Sequence, residues 1–390
     1  ENVDVLSRAL AKLPPADSSI RANVMARLAA AQQPAADIRA PIELAYQAIA
    51  MARRCNEPRT LLQALRSGLS AMVDLAPVQE RGPLNREMLD LARAQHERGA
   101  ELRARIRLVF DCMELWQLKE ADEHVRACEE IAKRSGHPSY AWNACSLRAM
   151  TSLLYGRFAQ AHELREQALA WGAKVGDWNS LHSNAMQALW ASAMSDDWTA
   201  ALGAQSRAVE LLSATPLWVG WAHFVYQTLM LRRGRPSDRS LLERHSGMLE
   251  SLMSASENSA IIADGMCAIA SREQLEQCVQ RLEPFAGHLL PTGPTMMYVD
   301  APYGRALAVL HEHLGRPDRA DHLMQQAISA VDTHGLLCHQ VDLRIEHAQR
   351  LMARDTPSAR ALAQPLLERA YELARPAAVP AWIARIDALS

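Results

Sequence analysis

A short phrase restarts about every forty residues, and nothing else in this chain limits its fold so sharply. Trp116-Gln-Leu-Lys-Glu-Ala opens a run that ends at Gly136, Gly156-Arg-Phe-Ala-Gln-Ala opens one that ends at Gly176, and Asp196-Asp-Trp-Thr-Ala-Ala opens a third. The register returns with small slips at Gly234, Ser271 and Gly315, and again near Thr356. A period of this size is one antiparallel helix pair, which cannot bury its apolar face alone and therefore stacks on the next pair. The expected fold class is all-α: an α-solenoid of about nine antiparallel helix pairs, read as a single array over residues 1–390.

Local signals agree with the period. Ala121, Val125, Cys128 and Ile131, or Ala161, Leu164 and Ala168, form the stripe of a half-buried helix, and no alternating stretch is long enough for a strand. Small residues at Ala121, Ala161, Ala201 and Ala320 permit close helix crossings. Gly136, Gly156, Gly176, Gly234, Gly315 and Gly335 stand where helices should stop, and Pro58, Pro138, Pro236 and Pro317 follow such stops. Second helices are expected near residues 42, 83, 118, 157, 197, 238, 272, 316 and 358. The pattern is least regular over 284–304, which holds Pro284, Pro291, Pro294 and Pro302 and reads as a long connector, a lid or a mobile joint.

The chain has 390 residues, 49% hydrophobic and 22% charged, too many for one globular core but suited to a core extended in one dimension. Its formal charge of −2, with no basic block, lacks the electrostatic footprint of a nucleic-acid binder. Nearly all of the 42 basic residues are arginine, a bias assigned to coding composition rather than recognition. Seven scattered cysteines without a C-x-x-C pair fit reduced thiols in a cytoplasmic protein, and no apolar run is long enough to span a membrane. The helix pattern is already running at Val5, Leu6, Ala9 and Leu10, so the chain reads as a piece of a larger protein.

Two constellations stand out. Six of the nine tryptophans fall between Trp171 and Trp221. His182, Met186 and Trp190 share one helical stripe, and Trp218 and Trp221 share another; with Trp178 they either fill gaps between helix pairs or line a groove for a ligand or partner. The candidate binding residues are therefore Trp178, His182, Trp190, Trp218 and Trp221. Seven of the fourteen histidines lie from His288 to His347, but His311 and His313 point about 200° apart on a helix and do not converge on one metal. No metal or other cofactor is expected. No phosphate loop, nucleophile elbow or H-E-x-x-H helix is present, so the chain reads as non-enzymatic.

The run from Gly156 to Gly172, Gly-Arg-Phe-Ala-Gln-Ala-His-Glu-Leu-Arg-Glu-Gln-Ala-Leu-Ala-Trp-Gly, resembles the second-helix phrase of tetratricopeptide repeats. Further segments are Leu13-Pro-Pro-Ala-Asp-Ser-Ser-Ile-Arg-Ala, Leu118-Lys-Glu-Ala-Asp-Glu-His, Leu282-Glu-Pro-Phe-Ala-Gly, Leu314-Gly-Arg-Pro-Asp-Arg-Ala and Leu366-Leu-Glu-Arg-Ala-Tyr-Glu-Leu-Ala. Together they make nearly the whole chain similar to the tetratricopeptide-like C-terminal arm of large bacterial signal-transduction ATPases, including maltose-regulator-type transcriptional activators and some multidomain adenylyl cyclases or kinases. The resemblance implies a right-handed superhelix and an arm that binds an inducer or a protein partner on its concave face to control a parent ATPase. The first helices lack the W-x-x-L-G-x-x-Y phrase, and the spacing is nearer 40 than 34 residues, so binding residues of peptide-clamp relatives do not carry over. The alternative is a constitutive docking scaffold with no small-molecule site.

Overall fold

The computed structural model describes residues 2–33, 35, 37–73, 75–176, 178–213, 216–248, 256–293 and 297–389, and of residues 216–218 and 248 only the backbone. The chain is 81% helical, with 21 α-helices and two two-residue strands among the described residues, and neighbouring helices pack in pairs. The all-α, solenoid-like expectation holds. Contacts divide the chain into two compact units, Glu1–Gly136 and His137–Ser390, where the period alone predicts one uninterrupted array.

The repeating phrase turns out to be a helix stop. At the end of one helix Gln117 N–H reaches back to Cys112 C=O (2.8 Å), and the same bond recurs from Arg157 to Ser152 (2.8 Å), Asp197 to Ser192 (2.9 Å), Arg235 to Met230 (2.9 Å) and Arg316 to His311 (2.8 Å). This six-to-one bond is the Schellman motif, and it requires a left-handed residue just before the donor. Trp116, Gly156, Asp196, Gly234 and Gly315 fill that place with φ of 61°, 73°, 58°, 66° and 79°. Four of these turns take three residues and the one at Gly234 takes six, and each leads the chain into the next helix.

The first unit contains α1 (Asn2–Lys12), α2 (Ser19–Ala31), α3 (Arg39–Arg54), α4 (Pro58–Gly68), α5 (Val78–Ala94), α6 (Arg98–Glu114) and α7 (Leu118–Ser135). Ile49, Leu65, Leu69, Met72, Met88 and Leu108 make its main core. Beside that core the buried Arg81 pairs with Asp111 at 2.7 Å and also with Glu114.

The second unit contains α8 (Pro138–Leu154), α9 (Phe158–Val175), α10 (Trp178–Met194), α11 (Trp198–Leu211), α12 (Pro216–Arg232) and α13 (Arg239–Arg244), then the short α14 (Ser256–Ile261), α15 (Ala263–Ile269) and α16 (Arg272–Leu282). The regular array resumes with α17 (Tyr303–His313), α18 (Pro317–His334), α19 (Leu337–Ala353), α20 (Pro357–Ala377) and α21 (Pro380–Asp387). Helices at 39, 78, 118, 158, 198, 239, 272, 317 and 357 begin close to the nine expected positions. Ala121, Ala161, Ala201 and Ala320, expected at close crossings, are at most 3% exposed.

The described residues of the proline-broken stretch 284–304 are packed against the second unit. Strands β1 (Leu290–Pro291) and β2 (Val299–Asp300) pair antiparallel, Leu290 opposite Asp300 and Pro291 opposite Val299. Leu289, Leu290, Met297, Tyr298 and Val299 are buried, so the hairpin plugs the interior of the second unit. Gln187 on α10 donates to Met297 C=O at 2.5 Å, and Arg232 at the end of α12 pairs with Asp300 at 2.7 Å. Polar bonds to the plug's backbone replace the helical bonds that the prolines forbid.

Contacts in this unit also run beyond nearest neighbours. Cys338 on α19 lies against Leu153 C=O of α8 at 3.0 Å, and Trp382 on α21 donates to Met194 C=O at 2.8 Å. The late helices thus fold back onto the early ones.

Candidate functional site

Of the five residues singled out by sequence, three are buried, one is exposed, and the side chain of the fifth lies outside the described residues. Trp178 is 42% exposed, stacks on His182 with centroids 5.1 Å apart, and donates its indole N–H to Leu211 C=O at 3.1 Å. His182 is buried, as is Trp190, which stacks on Tyr298 of the plug at 4.7 Å beneath the Arg232 guanidinium. Trp221 is wholly buried, and the side chain of Trp218 lies outside the described residues. Trp190 packs on the plug and Trp221 is wholly buried, which places both in the core instead of on a groove wall.

A different stripe of α10 does face an opening. Asn184, Ala188 and Ala191, with Ser195 just past the helix end, form one wall of a cavity of about 750 Å³ in the second unit. Phe158, His162, Arg165 and Glu166 of α9 form the second wall, and Ala200, Gly203, Ala204 and Arg207 of α11 the third. Residues 377–380, the turn between α20 and α21, supply the fourth side. That turn is held by left-handed Ala378 (φ 53°), whose N–H bonds back to Arg375 C=O. A cavity of this size accommodates a small organic molecule.

The walls are small-residue helices with charge at a few points. Asp197 spends its carboxylate on the N-terminus of α11, accepting from Ala200 N–H at 3.0 Å. The Ser195 hydroxyl turns back to Ala191 C=O at 3.0 Å. Arg165 has its Nε buried without a hydrogen-bond partner, and among the described residues neither its guanidinium nor that of Arg207 enters an ion pair. Burial lowers the Arg165 pKa; adjacent Glu166 works against that shift and the Arg207 charge adds to it.

The repeat itself carries a signal for this site that the sequence reading passed over. The eighth residue of α7, α9, α11 and α18 is Val125, Arg165, Gln205 and Met324 respectively. Val125 and Met324 are core residues, so an arginine at this place in the repeat departs from the buried apolar pattern.

Elsewhere, charge is buried but paired. Arg305 forks between Asp264 (2.8 Å) and Glu346 (2.9 Å), while Arg232 joins Asp264 to Asp300. Asp342 receives both Arg233 (2.6 Å) and Arg385 (2.9 Å), tying α19 to α12 and α21. These charges are paired with one another in a structural network, although Nε of Arg232, Arg233 and Arg385 makes no hydrogen bond. His347 pairs with Asp321 at 3.2 Å. In the first unit the ligand atoms of Cys112, Glu120 and His124 lie within 4.8 Å of one another. Arg105 stands 3.4 Å from His124 Nδ1 and Arg86 3.4 Å from Glu120, so two cations already occupy the places a metal ion would need neutral or negative. Burial pushes the Cys112 thiol up to about 12, further from the thiolate a metal takes.

No family model matches this chain, and no curated protein matches it either. No described helix is long and apolar enough to cross a membrane, and the seven cysteines are free.

Proposed function

We propose that this chain is a non-catalytic, signal-sensing α-solenoid, the regulatory arm of a larger ATPase-type regulator of the kind it resembles, and that the cavity between α9, α10, α11 and the α20–α21 turn takes the inducer. The observation that carries this reading is the cavity's fourth side. Residues 377–380 come from the far end of the chain and close a space walled by helices about 200 positions earlier, so a bound molecule touches both and favours the arrangement in which they meet. A ligand acts as a switch to the extent that it prefers one arrangement, and a preference of a few kcal/mol suffices. The serine hydroxyl turned into its own helix and the carboxylate used as a helix cap leave the walls without an activated nucleophile, in keeping with binding rather than turnover.

Thermal denaturation across a metabolite panel tests the reading, since a ligand at about 100 times its Kd adds about 2.7 kcal/mol of stability. Gly203→Phe supplies the control: a Cβ at Gly203 meets nothing within 4 Å, so the ring fills the cavity and leaves the fold intact. The expected result is a stabilising metabolite whose effect Gly203→Phe abolishes. Absence of any shift, together with a protein partner that binds the parent and the Gly203→Phe variant equally, favours the constitutive scaffold instead.

A further inference from the structure

The cavity has two unlike ends. Trp382 touches Phe158, the first residue of α9, edge-on at 5.8 Å and bonds Met194 C=O, the last residue of α10, at 2.8 Å. The start of α9, the end of α10 and the α20–α21 turn therefore meet at one end, where the wall is Phe158, Leu153, Val379 and Pro380. Ser195 and Asp197 beside them are engaged with their own chain, the hydroxyl at Ala191 C=O and the carboxylate at Ala200 N–H. The other end carries Arg165, Glu166 and Arg207, charges of both signs of which the last two are exposed. Behind the apolar end lies a second space. Phe158 and Leu153 also line a void of about 10 Å³ whose further walls include Trp190, Cys338 and Tyr298 of the plug, room for about one water-sized sphere. Phe158 is half-buried and stands as a partition, with the cavity on one side and the void against the plug on the other.

We infer that the cavity takes a small molecule with an apolar ring, seated against Phe158, Leu153, Val379 and Pro380, and that Phe158 sets how large that ring can be. The ligand's polar part stays at the charged end, in contact with water. Removing apolar surface from water drives the seating, and a ring of the same shape covered in hydroxyl groups gives up its water there for hydrocarbon. Alanine and glycine at Ala188, Ala191, Ala200 and Gly203 leave the room in front of Phe158 that a ring needs. This inference rests on the reading of the cavity as the inducer site and narrows the inducer's chemistry.

The test uses the full chain labelled with 5-fluorotryptophan, with the Trp382 resonance assigned from Trp382→Phe. Fluorine NMR should show cyclohexanol and benzyl alcohol shifting Trp382 saturably, with Trp116 of the first unit unmoved. The hexahydroxylated ring of myo-inositol should leave Trp382 where it is, and Gly203→Phe should abolish the response to every probe. Phe158→Ala joins the cavity to the void, so the affinity ratio of 2-naphthalenemethanol to benzyl alcohol should rise by at least about tenfold, the scale of discrimination that hydrophobic pockets reach. A merely structural role would lower both affinities together. Phe158→Leu keeps an apolar partition of smaller size, and should move the ratio the same way by less even if Phe158→Ala fails to fold. Equal response to myo-inositol and cyclohexanol would overturn the apolar end, as would no shift of Trp382 with either alcohol at millimolar concentration. An unchanged ratio in both Phe158 variants would overturn its part as the partition. The inducer-site reading survives any of these if a metabolite stabilises the parent and not Gly203→Phe, and it falls separately if none does.

Discussion

The indole N–H of Trp382 donates to the backbone carbonyl of Met194 at 2.8 Å, joining two positions 188 residues apart. Phe158 meets the same indole edge-on at 5.8 Å, and Arg385 one turn further on reaches Asp342. The last helix of the second unit is therefore anchored by a wholly buried ring on one face and an ion pair on the next.

Removing that ring should loosen the end of the chain. Trp382→Ala is expected to destabilise by about 3–5 kcal/mol, the range for large aromatic truncations in a core. Trp382→Phe keeps most of the packing and loses the hydrogen bond, for a smaller loss of about 0.5–1.5 kcal/mol. Urea melts of the two variants measure both. Equal losses would assign the whole effect to the bond.

The tryptophans of α10 should separate in the same assay. Trp190 is buried against Tyr298, so Trp190→Ala should cost about 3–5 kcal/mol. Trp178 is exposed and makes one bond to Leu211 C=O, so Trp178→Ala should cost no more than about 1.5 kcal/mol. A large loss at Trp178 would show that its stacking on His182 matters more than its exposure suggests.

Two glycines should respond with opposite sign. A Cβ at Gly265 on α15 would lie 2.5 Å from Phe224 Cε1 and 2.6 Å from Thr228 Oγ1, so Gly265→Ala should destabilise by about 1–3 kcal/mol through overpacking. Gly203 lies within α11 with open space around its missing Cβ, so Gly203→Ala should stabilise by about 1 kcal/mol through helix propensity. Thermal melts read both signs directly.

The periodic part of this fold was legible because five of the restart phrases, at Trp116, Gly156, Asp196, Gly234 and Gly315, are Schellman turns, whose geometry leaves a local mark: a left-handed residue after one helix and before the next. Even Trp116, a poor residue for φ above zero, and Asp196, which tolerates it, were caught by the spacing of the glycines around them. The plug was not legible. Its prolines report that helix is forbidden over 284–304, but nothing local reports that Gln187 and Arg232, about 70 to 110 positions away, satisfy its backbone and its Asp300. The same limit applies to arginine. Composition made the arginine excess look like coding bias, yet Arg81, Arg233, Arg305 and Arg344 are buried in ion pairs where lysine's single ammonium would not fork between carboxylates. The cavity failed to announce itself because its walls are made of residues notable for being small, and Arg165 stands out only when repeats are aligned.

The buried network should govern acid stability. Burial alone would raise the Asp264 pKa, but the charges of Arg305 and Arg232 overcome it and bring the group to about 2, below its ordinary 3.8. A depressed carboxylate stabilises the fold fully above its unfolded pKa, and that contribution is lost as pH falls from about 4 towards 2. Arg233 and Arg385 likewise hold Asp342 below the usual carboxylate range against its burial, so both shifts act in one direction. Melting temperature is expected to decline below about pH 6.5, where His124, His311, His339 and His347, held neutral by burial, would have to charge, and to fall more steeply below about 4. Asp264→Asn should lower stability at neutral pH by about 3–5 kcal/mol, the cost of breaking a buried pair from one side, and should flatten the acid slope. An unchanged slope would place the acid-sensitive groups elsewhere.

The plug offers the sharpest contrast between what prolines suggest and what packing does. Exposed, a proline-broken segment is the natural place for a protease to enter; here residues 289–293 and 297–301 are buried, Thr292 N–H bonds Tyr298 C=O at 2.9 Å, and Tyr303 N–H bonds His288 C=O at 3.1 Å. A close approach supports the same arrangement: a Cβ at Gly304 would stand 3.0 Å from Ala286 C=O, so the chain at the plug's exit lies directly on its entrance. Exchange of the amide hydrogens of Thr292 and Tyr303 requires the surrounding helices to part, which ties their opening to that of the unit's core instead of to a local loop motion. Hydrogen exchange should therefore protect these two amides about as strongly as those in the middle of α10 and α19, and limited proteolysis should leave 289–293 and 297–303 uncut until the second unit unfolds. Asp300→Ala, which leaves Arg232 only its longer ion pair with Asp264, should speed exchange at Thr292 more than at the first unit's helices. Early exchange at Thr292 in the parent, or a first cut within 297–303, would show that the hairpin leaves its seat without the core opening and that the proline-rich stretch works as a joint after all.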